Sequence, residues 1–134
     1  MNYQIFKSSI FLRFEIEKIF LITLGAIPGA LIRWQLHNHF FTNMIGCGII
    51  GFLVGARFGL RAKLLVGVGF CGALTTFSSW MSDCLHFLID GDFLNAISLI
   101  FTSLFFGLLA AFIGLWLGFK IPSVFLSFKS INRS

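Results

Sequence analysis

Charged side chains are scarce in this chain. They make up 11% of its 134 residues, where a soluble domain carries roughly 25%. Mean hydropathy is +0.95. A soluble domain is excluded, and an all-α integral membrane protein is expected. Carboxylates are scarcer still. There are five, and none sits in the middle of an apolar run. That absence argues against a cation pathway. It also argues against a small multidrug exporter, whose chemistry needs a carboxylate deep in the first helix, because Glu17 lies outside that helix. No nucleophile and base pair is visible, so no enzyme is expected. Cys47, Cys71 and Cys84 fall inside apolar runs without metal-ligand spacing and read as inert core thiols. No small-residue cleavage site follows the charged start, so a signal peptide is not expected. The net charge of +5 does not point to nucleic acid, because the basic residues lie at helix ends and in tails.

What is present is phenylalanine, 19 residues, and glycine, 14. Four apolar spans are expected, at about 19–36, 40–58, 64–89 and 93–119. A helix needs ~20 residues to cross the hydrocarbon core, and each run approaches or exceeds that. The connections are short, so sequential helices should be antiparallel neighbours. Residues 1–18 are expected to form an interfacial or flexible segment, 19–119 the transmembrane domain, and 120–134 a cytoplasmic tail. Gly25 with Gly29, Gly51 with Gly55 and Gly59, and Gly114 with Gly118 recur at four-residue spacing. Such spacing lets helix backbones approach closely. It predicts tight packing and no particular chemistry.

The third span carries the functional signal. Its middle reads Gly69-Phe-Cys-Gly72-Ala-Leu-Thr75-Thr76-Phe77-Ser78-Ser79-Trp80. A span made only to anchor has no use for four hydroxyls and two glycines there. Broken helices survive at membrane depth only where they line a cavity or are buried in protein. The span is therefore read as interrupted. A continuous helix, with its hydroxyls bonded back to carbonyls a turn earlier, is the plainer alternative.

The remaining polar residues extend that reading. Arg33 and Asp83 fall on the same expected side and are candidates for a structural pair. Asn43, a turn into the second span, must bond another helix or face water. Its amide can also donate to an anion. Phe77 and Trp80 share a helix face, and ring edges carry partial positive charge. Ser98 and Thr102 share a face on the fourth span, either as a polar track or bonded backward. His37, His39 and His86 read as interfacial. Amide, hydroxyl and ring edge together suit an anion better than a cation. Fluoride is the small, hard anion that most needs donors in place of its water, although composition does not separate it from chloride.

On these residues the chain resembles the CrcB/Fluc family of fluoride channels, from about residue 25 to residue 118. Gly25-Ala-Ile-Pro-Gly29-Ala30-Leu-Ile-Arg33-Trp is similar to the family's Gly-Gly-x-x-Gly-Ala-x-x-Arg-Tyr. Asn43-Met-Ile-Gly46 is similar to its Asn-x-x-Gly. The stretch from Gly69 to Trp80 is similar to its Gly-x-x-Gly-Gly-x-Thr-Thr-Phe-Ser-Thr-Phe. Asp83 falls where the family usually has an acid. The resemblance implies an antiparallel, dual-topology dimer of four-helix subunits with a broken third helix and two narrow pores. It implies passive export of fluoride that entered as HF and ionised inside. It implies a structural sodium ion (Na+) at the dimer centre, on the backbone carbonyls of Gly72 and Thr75. It assigns Asn43, Phe77 and Ser103 to the pore, with Thr76, Ser78 and Trp80 along the same pathway. It places the chain in the bacterial inner membrane.

Three positions depart from the family. Trp80 stands for the second pore phenylalanine. Leu99 stands where a tyrosine is common. The Gly-Thr-Leu-x-Val-Asn entry to the second helix is here Asn38-His39-Phe40-Phe41-Thr42-Asn43. Charge adds a further expectation. With both termini cytoplasmic, nine of the ten basic residues lie inside and only Arg33 lies outside. Basic residues mark the cytoplasmic side. So one-sided a chain should insert one way, and its antiparallel partner should be a related chain of opposite orientation. A non-transporting membrane scaffold would explain the glycines but not the Thr-Thr-Phe-Ser block.

Overall fold

A computed structural model of the chain describes residues 2–36 and 38–121, with side chains from Arg13 onward. Every element among them is helical. Helix α1 spans Asn2–Gln35 and α2 spans His39–Gly55. A third run begins with α3 (Leu60–Ala62), continues as a π-helical stretch (Lys63–Cys71) and ends in α4 (Gly72–Leu74). After Thr75 and Thr76 it resumes as α5 (Phe77–Ile89). Helix α6 spans Phe93–Lys120.

Each of the four expected spans falls mainly on helix, but the second ends at Gly55, short of the expected 58, and the first differs at its start. No helix boundary occurs near residue 18, and α1 runs unbroken from Asn2. Nothing in the sequence stops it there. Glycine and proline first appear at Gly25 and Pro28, and Lys18 bridges to Glu15 one turn back at 2.7 Å. The expected tail from residue 122 onward, and His37, lie outside the described residues. Leu60–Ile89 and Phe93–Lys120 are long and apolar enough to cross a membrane, and His39–Gly55 is a shorter apolar helix of 17 residues.

Glycine decides how these helices meet. Along the α2–α6 seam, an added Cβ at Gly51 or Gly55 would overlap the carbonyl oxygens of Ala111 or Leu115. One at Gly114 would overlap that of Gly48, and one at Gly118 would sit 2.6 Å from that of Phe52. Each helix thus lends glycines to the other's backbone. Gly59, third in the expected α2 series, takes no part and has nothing within 4 Å of its Cβ position. On the other side, α1 lies against the third run. Gly25 and Gly29, four residues apart, face the carbonyls of Leu65 and Phe70, five apart. The wider π-helical turn, closed by i→i+5 bonds, brings those two carbonyls into register with one α-helical turn of α1.

The exterior is apolar, and the few buried side chains mix Leu53 and Leu74 with small or hydroxyl-bearing ones. Thr42 is fully buried and Thr76 nearly so, whereas Phe101, Leu108 and Phe112 of α6 stand exposed. So large an exposed apolar surface suits lipid and partner helices.

Candidate functional site

The third run breaks at Thr75 and Thr76. Both are extended, with φ −79° and ψ 152° at Thr75 and φ −144° and ψ 126° at Thr76. The break is anchored on both sides. The Thr75 amide and hydroxyl each donate to the Cys71 carbonyl at 3.0 Å, closing α4. The Thr76 hydroxyl caps α5 by accepting from the Ser79 amide at 3.4 Å, donates to the Ser79 hydroxyl at 3.2 Å, and lies 3.3 Å from the Ser78 hydroxyl. β-Branched threonine tolerates an extended backbone, and its hydroxyl is a good N-cap.

Asn43 holds the break open from α2. Its Oδ1 accepts from the Thr76 amide at 2.9 Å, and its Nδ2 donates to the Thr76 carbonyl at 3.1 Å. The side chain stands in for a missing turn of helix, and among the described residues its second amide hydrogen has no partner. It is an interhelical bond, one of the two roles its sequence position allowed. In a continuous helix the Thr76 amide would close onto the Gly72 carbonyl. Here that amide is turned to Asn43, so the Gly72 carbonyl is released from the helical ladder. The space at Gly72 is open, with nothing within 4 Å of its Cβ position. Three residues along α2 from Asn43, Gly46 makes a notch filled by the Thr75 methyl, where a Cβ would clash.

Arg33 corrects an expectation. It does not pair with Asp83, and the ion pairs among the described residues are Lys18 with Glu15 and Arg61 with Glu17 at 2.6 Å. The Arg33 Nη1 instead donates to the Thr75 carbonyl at 3.5 Å. Asp83 lies exposed on α5. The broken helix supplies a free carbonyl nearer to the guanidinium than any carboxylate. Beside this contact is a cavity of about 360 Å³ lined by Arg33, Trp34, His39, Thr76, Ser78 and Ser79. The Nδ1 of His39 is buried without a partner.

Beyond the cap, Phe77 is 71% exposed. Its ring centroid lies 5.5 Å from that of Trp80 at a 44° tilt. The indole Nε1 of Trp80 donates to the Ser103 hydroxyl on α6 at 3.0 Å. Ser98 and Thr102 form no track, because the Thr102 hydroxyl bonds backward to the Ser98 carbonyl at 2.7 Å and that of Leu99 at 3.2 Å. The structure thus gathers Asn43, Gly72, Thr75, Thr76, Ser78, Phe77, Trp80 and Ser103 about one break, and leaves Asp83 aside.

A family model described as "CrcB-like protein, Camphor Resistance (CrcB)" matches residues 20–115. The chain belongs to the CrcB family. Among curated CrcB-type relatives, the chain is 45% identical over 112 residues to "Fluoride-specific ion channel FluC 2" of Synechococcus sp. (strain CC9902), covering 80% of this chain and 84% of that protein. It is 45% identical over 104 residues to the FluC 2 of Prochlorococcus marinus (strain MIT 9313), covering 78% and 84%. It is 39% identical over 112 residues to "Fluoride-specific ion channel FluC 1" of a second Prochlorococcus marinus strain, SARG / CCMP1375, covering 84% and 90%. These CrcB relatives carry the names of channels, not enzymes, and both numbered forms, FluC 1 and FluC 2, occur among them.

Reading the sequence alone missed three parts of this CrcB-family site. One is the partner of Arg33, another is the notch at Gly46, and the third is the π-helical register. Gly46 was visible in the Asn-x-x-Gly pattern, but its use was not, because the methyl that fills the notch lies 29 residues away (75 − 46).

Proposed function

We propose that this chain is a subunit of a fluoride-selective channel that passively exports fluoride from the cytoplasm. The observation that carries the reading is the break at Thr75 and Thr76, pinned open by Asn43, in a chain 45% identical to proteins named for that activity. Fluoride holds its hydration water tightly, so a pathway must replace that water with donors. The second amide hydrogen of Asn43, the edge of Phe77 and the hydroxyl of Ser103 are donors of the right kind, and the hydroxyls of Thr76 and Ser78 join them by turning out of their bonds within the Thr76–Ser78–Ser79 cluster. The absence of a carboxylate from the cavity lining keeps a small anion from being repelled. Fluoride arriving as HF from a more acidic exterior ionises inside and leaves down its own gradient, which needs no coupled energy.

The carbonyls of Gly72 and Thr75 suit a structural Na+. The first is released by the break. The second is shared with Arg33 at the long distance of 3.5 Å, so one of its lone pairs remains. When bound, such an ion supplies positive charge near the membrane midplane, which offsets the penalty of bringing an anion there. We read the assembly as an antiparallel dimer of four-helix subunits in the bacterial inner membrane, with both termini of this chain cytoplasmic. The nine-to-one distribution of basic residues favours a related partner chain of opposite orientation over a second copy. The FluC 1 and FluC 2 names among the relatives are consistent with such paired genes.

Fluoride and chloride efflux from liposomes tests the reading. The chain, reconstituted with any oppositely oriented relative from its source, should release fluoride and retain chloride. Release of neither ion ends the channel reading. Full fluoride efflux by the purified chain alone refutes obligate pairing and leaves the channel standing.

A further inference from the structure

The bond between Trp80 and Ser103 fixes more than the distance between α5 and α6. An indole N–H donates and never accepts, whereas a serine hydroxyl has one proton and two lone pairs. At 3.0 Å the direction is therefore settled, and Ser103 Oγ accepts from Trp80 Nε1. The Ser103 proton must point elsewhere. A serine inside a helix usually gives that proton to a carbonyl one turn back. The neighbouring Thr102 does so, toward the carbonyls of Ser98 and Leu99. Among the described residues Ser103 makes no such bond, and its only polar contact is Trp80. Its proton is an uncommitted donor. The ring of its partner Trp80 lies 5.5 Å from that of Phe77, which is 71% exposed.

We propose that Trp80 is a positioning residue for Ser103. Its indole N–H holds the hydroxyl oxygen, so that the hydroxyl proton is presented to a fluoride ion passing Phe77. The inference rests on the fluoride-channel reading. An N–H···O–H···anion chain is polarised along its length, and each link strengthens the next. Without the N–H, the Ser103 hydroxyl turns back to its own helix as Thr102 does, and the donor is withdrawn. A phenylalanine at position 80 has no N–H and leaves Ser103 unconstrained. The substitution to tryptophan thus adds an indirect donor at a place where a ring edge alone would stand. Chloride, larger and more weakly hydrogen-bonded, gains less from a single aimed proton, so the device acts on selectivity as well as rate.

The test replaces Trp80 with 3-benzothienylalanine, which keeps the ring shape and puts sulfur where the N–H was. Wild type, Trp80→3-benzothienylalanine, Trp80→Phe, Ser103→Ala and the double replacement are reconstituted with the natural partner, and fluoride and chloride efflux are measured. The isostere and Ser103→Ala should each slow fluoride about ten-fold, the size of one hydrogen bond to an ion. Both should lower the fluoride-to-chloride ratio, and the double replacement should be no slower than either single. In detergent micelles, sodium fluoride should shift the Trp80 indole proton resonance in wild type but not in Ser103→Ala, and sodium chloride should not shift it. An isostere that conducts and discriminates like wild type overturns the inference and leaves the channel reading intact. A double replacement slowed by the product of the singles overturns it too, as does an indole resonance indifferent to fluoride. A wild-type complex that passes no fluoride removes the channel reading and this inference together.

Discussion

Along the α2–α6 seam, an added Cβ at Gly114 would land on the Gly48 carbonyl, while at the break an added Cβ at Gly72 would meet nothing within 4 Å. The same residue type serves opposite ends in the two regions. In the seam, glycine lets carbonyls of one helix approach the other, and every backbone group stays within its own helix. At the break, backbone groups are drawn out of the helix, and side chains from elsewhere answer them: Asn43 for Thr76, Arg33 for Thr75. One region is held by close packing. The other is held by a few named hydrogen bonds. The comparison separates stability into packing and polar satisfaction, and each half can be attacked alone.

The largest effect should come from Asn43→Ala. It strips the Thr76 amide and carbonyl of their partners at once. Leaving a buried backbone group unsatisfied costs about 1–3 kcal/mol, so the loss should be about 4 kcal/mol in reversible unfolding from micelles, with fluoride efflux abolished. Asn43→Asp should fare little better, because a carboxylate cannot donate to the Thr76 carbonyl. If the alanine variant unfolds like wild type, the break is not held by Asn43 and the contrast between the regions fails.

Gly114→Ala comes next. The clashing atom is a main-chain oxygen of Gly48, which cannot turn aside, so the cost should sit at the upper end of overpacking, about 3 kcal/mol. Gly72→Ala is its control and should leave stability unchanged or raise it slightly, since alanine is the better helix former and the space is open. Equal destabilisation by the two would erase the distinction. A stable Gly72→Ala that conducts poorly would sharpen it, by placing the need for glycine in the pathway and not in the packing.

Gly46 sits between the two cases, because what its Cβ would strike is a side-chain methyl, Thr75 Cγ2. Gly46→Ala should cost about 2 kcal/mol. Thr75→Ser removes that methyl and keeps the hydroxyl bonded to Cys71, so the double variant should recover most of the loss. Thermal unfolding of the four members of this cycle reads the coupling directly. An additive pair would show that the notch is not what seats Thr75.

Much of this architecture could be read from the chain, and what could not has a physical reason. The break announced itself because hydroxyls and glycines crowd the middle of an otherwise apolar span, a local signal. The glycine seams were visible for the same reason, through spacing within one helix. Gly59 was misassigned because spacing carries no information about where a helix ends. The π-helical register of Lys63–Cys71 was hidden because an almost wholly apolar stretch has no polar face from which a period can be measured. The partners of Asn43 and Arg33 were hidden because they lie 33 and 42 residues away. Arg33 was matched to Asp83 by charge, yet a broken helix creates carbonyl acceptors that no residue-by-residue reading counts.

The smallest expected effect concerns a position where glycine is wanted and absent. Arg57, in the turn after α2, has φ 52°, the single positive value among the described non-glycine residues, whereas the turn after α5 uses Gly91 at φ +77°. A side chain in the left-handed region costs about 1 kcal/mol, so Arg57→Gly should raise unfolding stability by about that much. An arginine kept in a strained turn calls for another benefit, and the charge asymmetry supplies one. Arg57 lies with Arg61 and Lys63 in the connection expected to face the cytoplasm. The glycine variant should therefore be more stable once folded yet insert less uniformly, measured by the fraction of a C-terminal reporter that remains cytoplasmic. If stability does not rise, the turn is not strained. If stability rises and the reporter stays wholly cytoplasmic, eight remaining basic residues against one suffice to orient the chain, and Arg57 has no part in that choice.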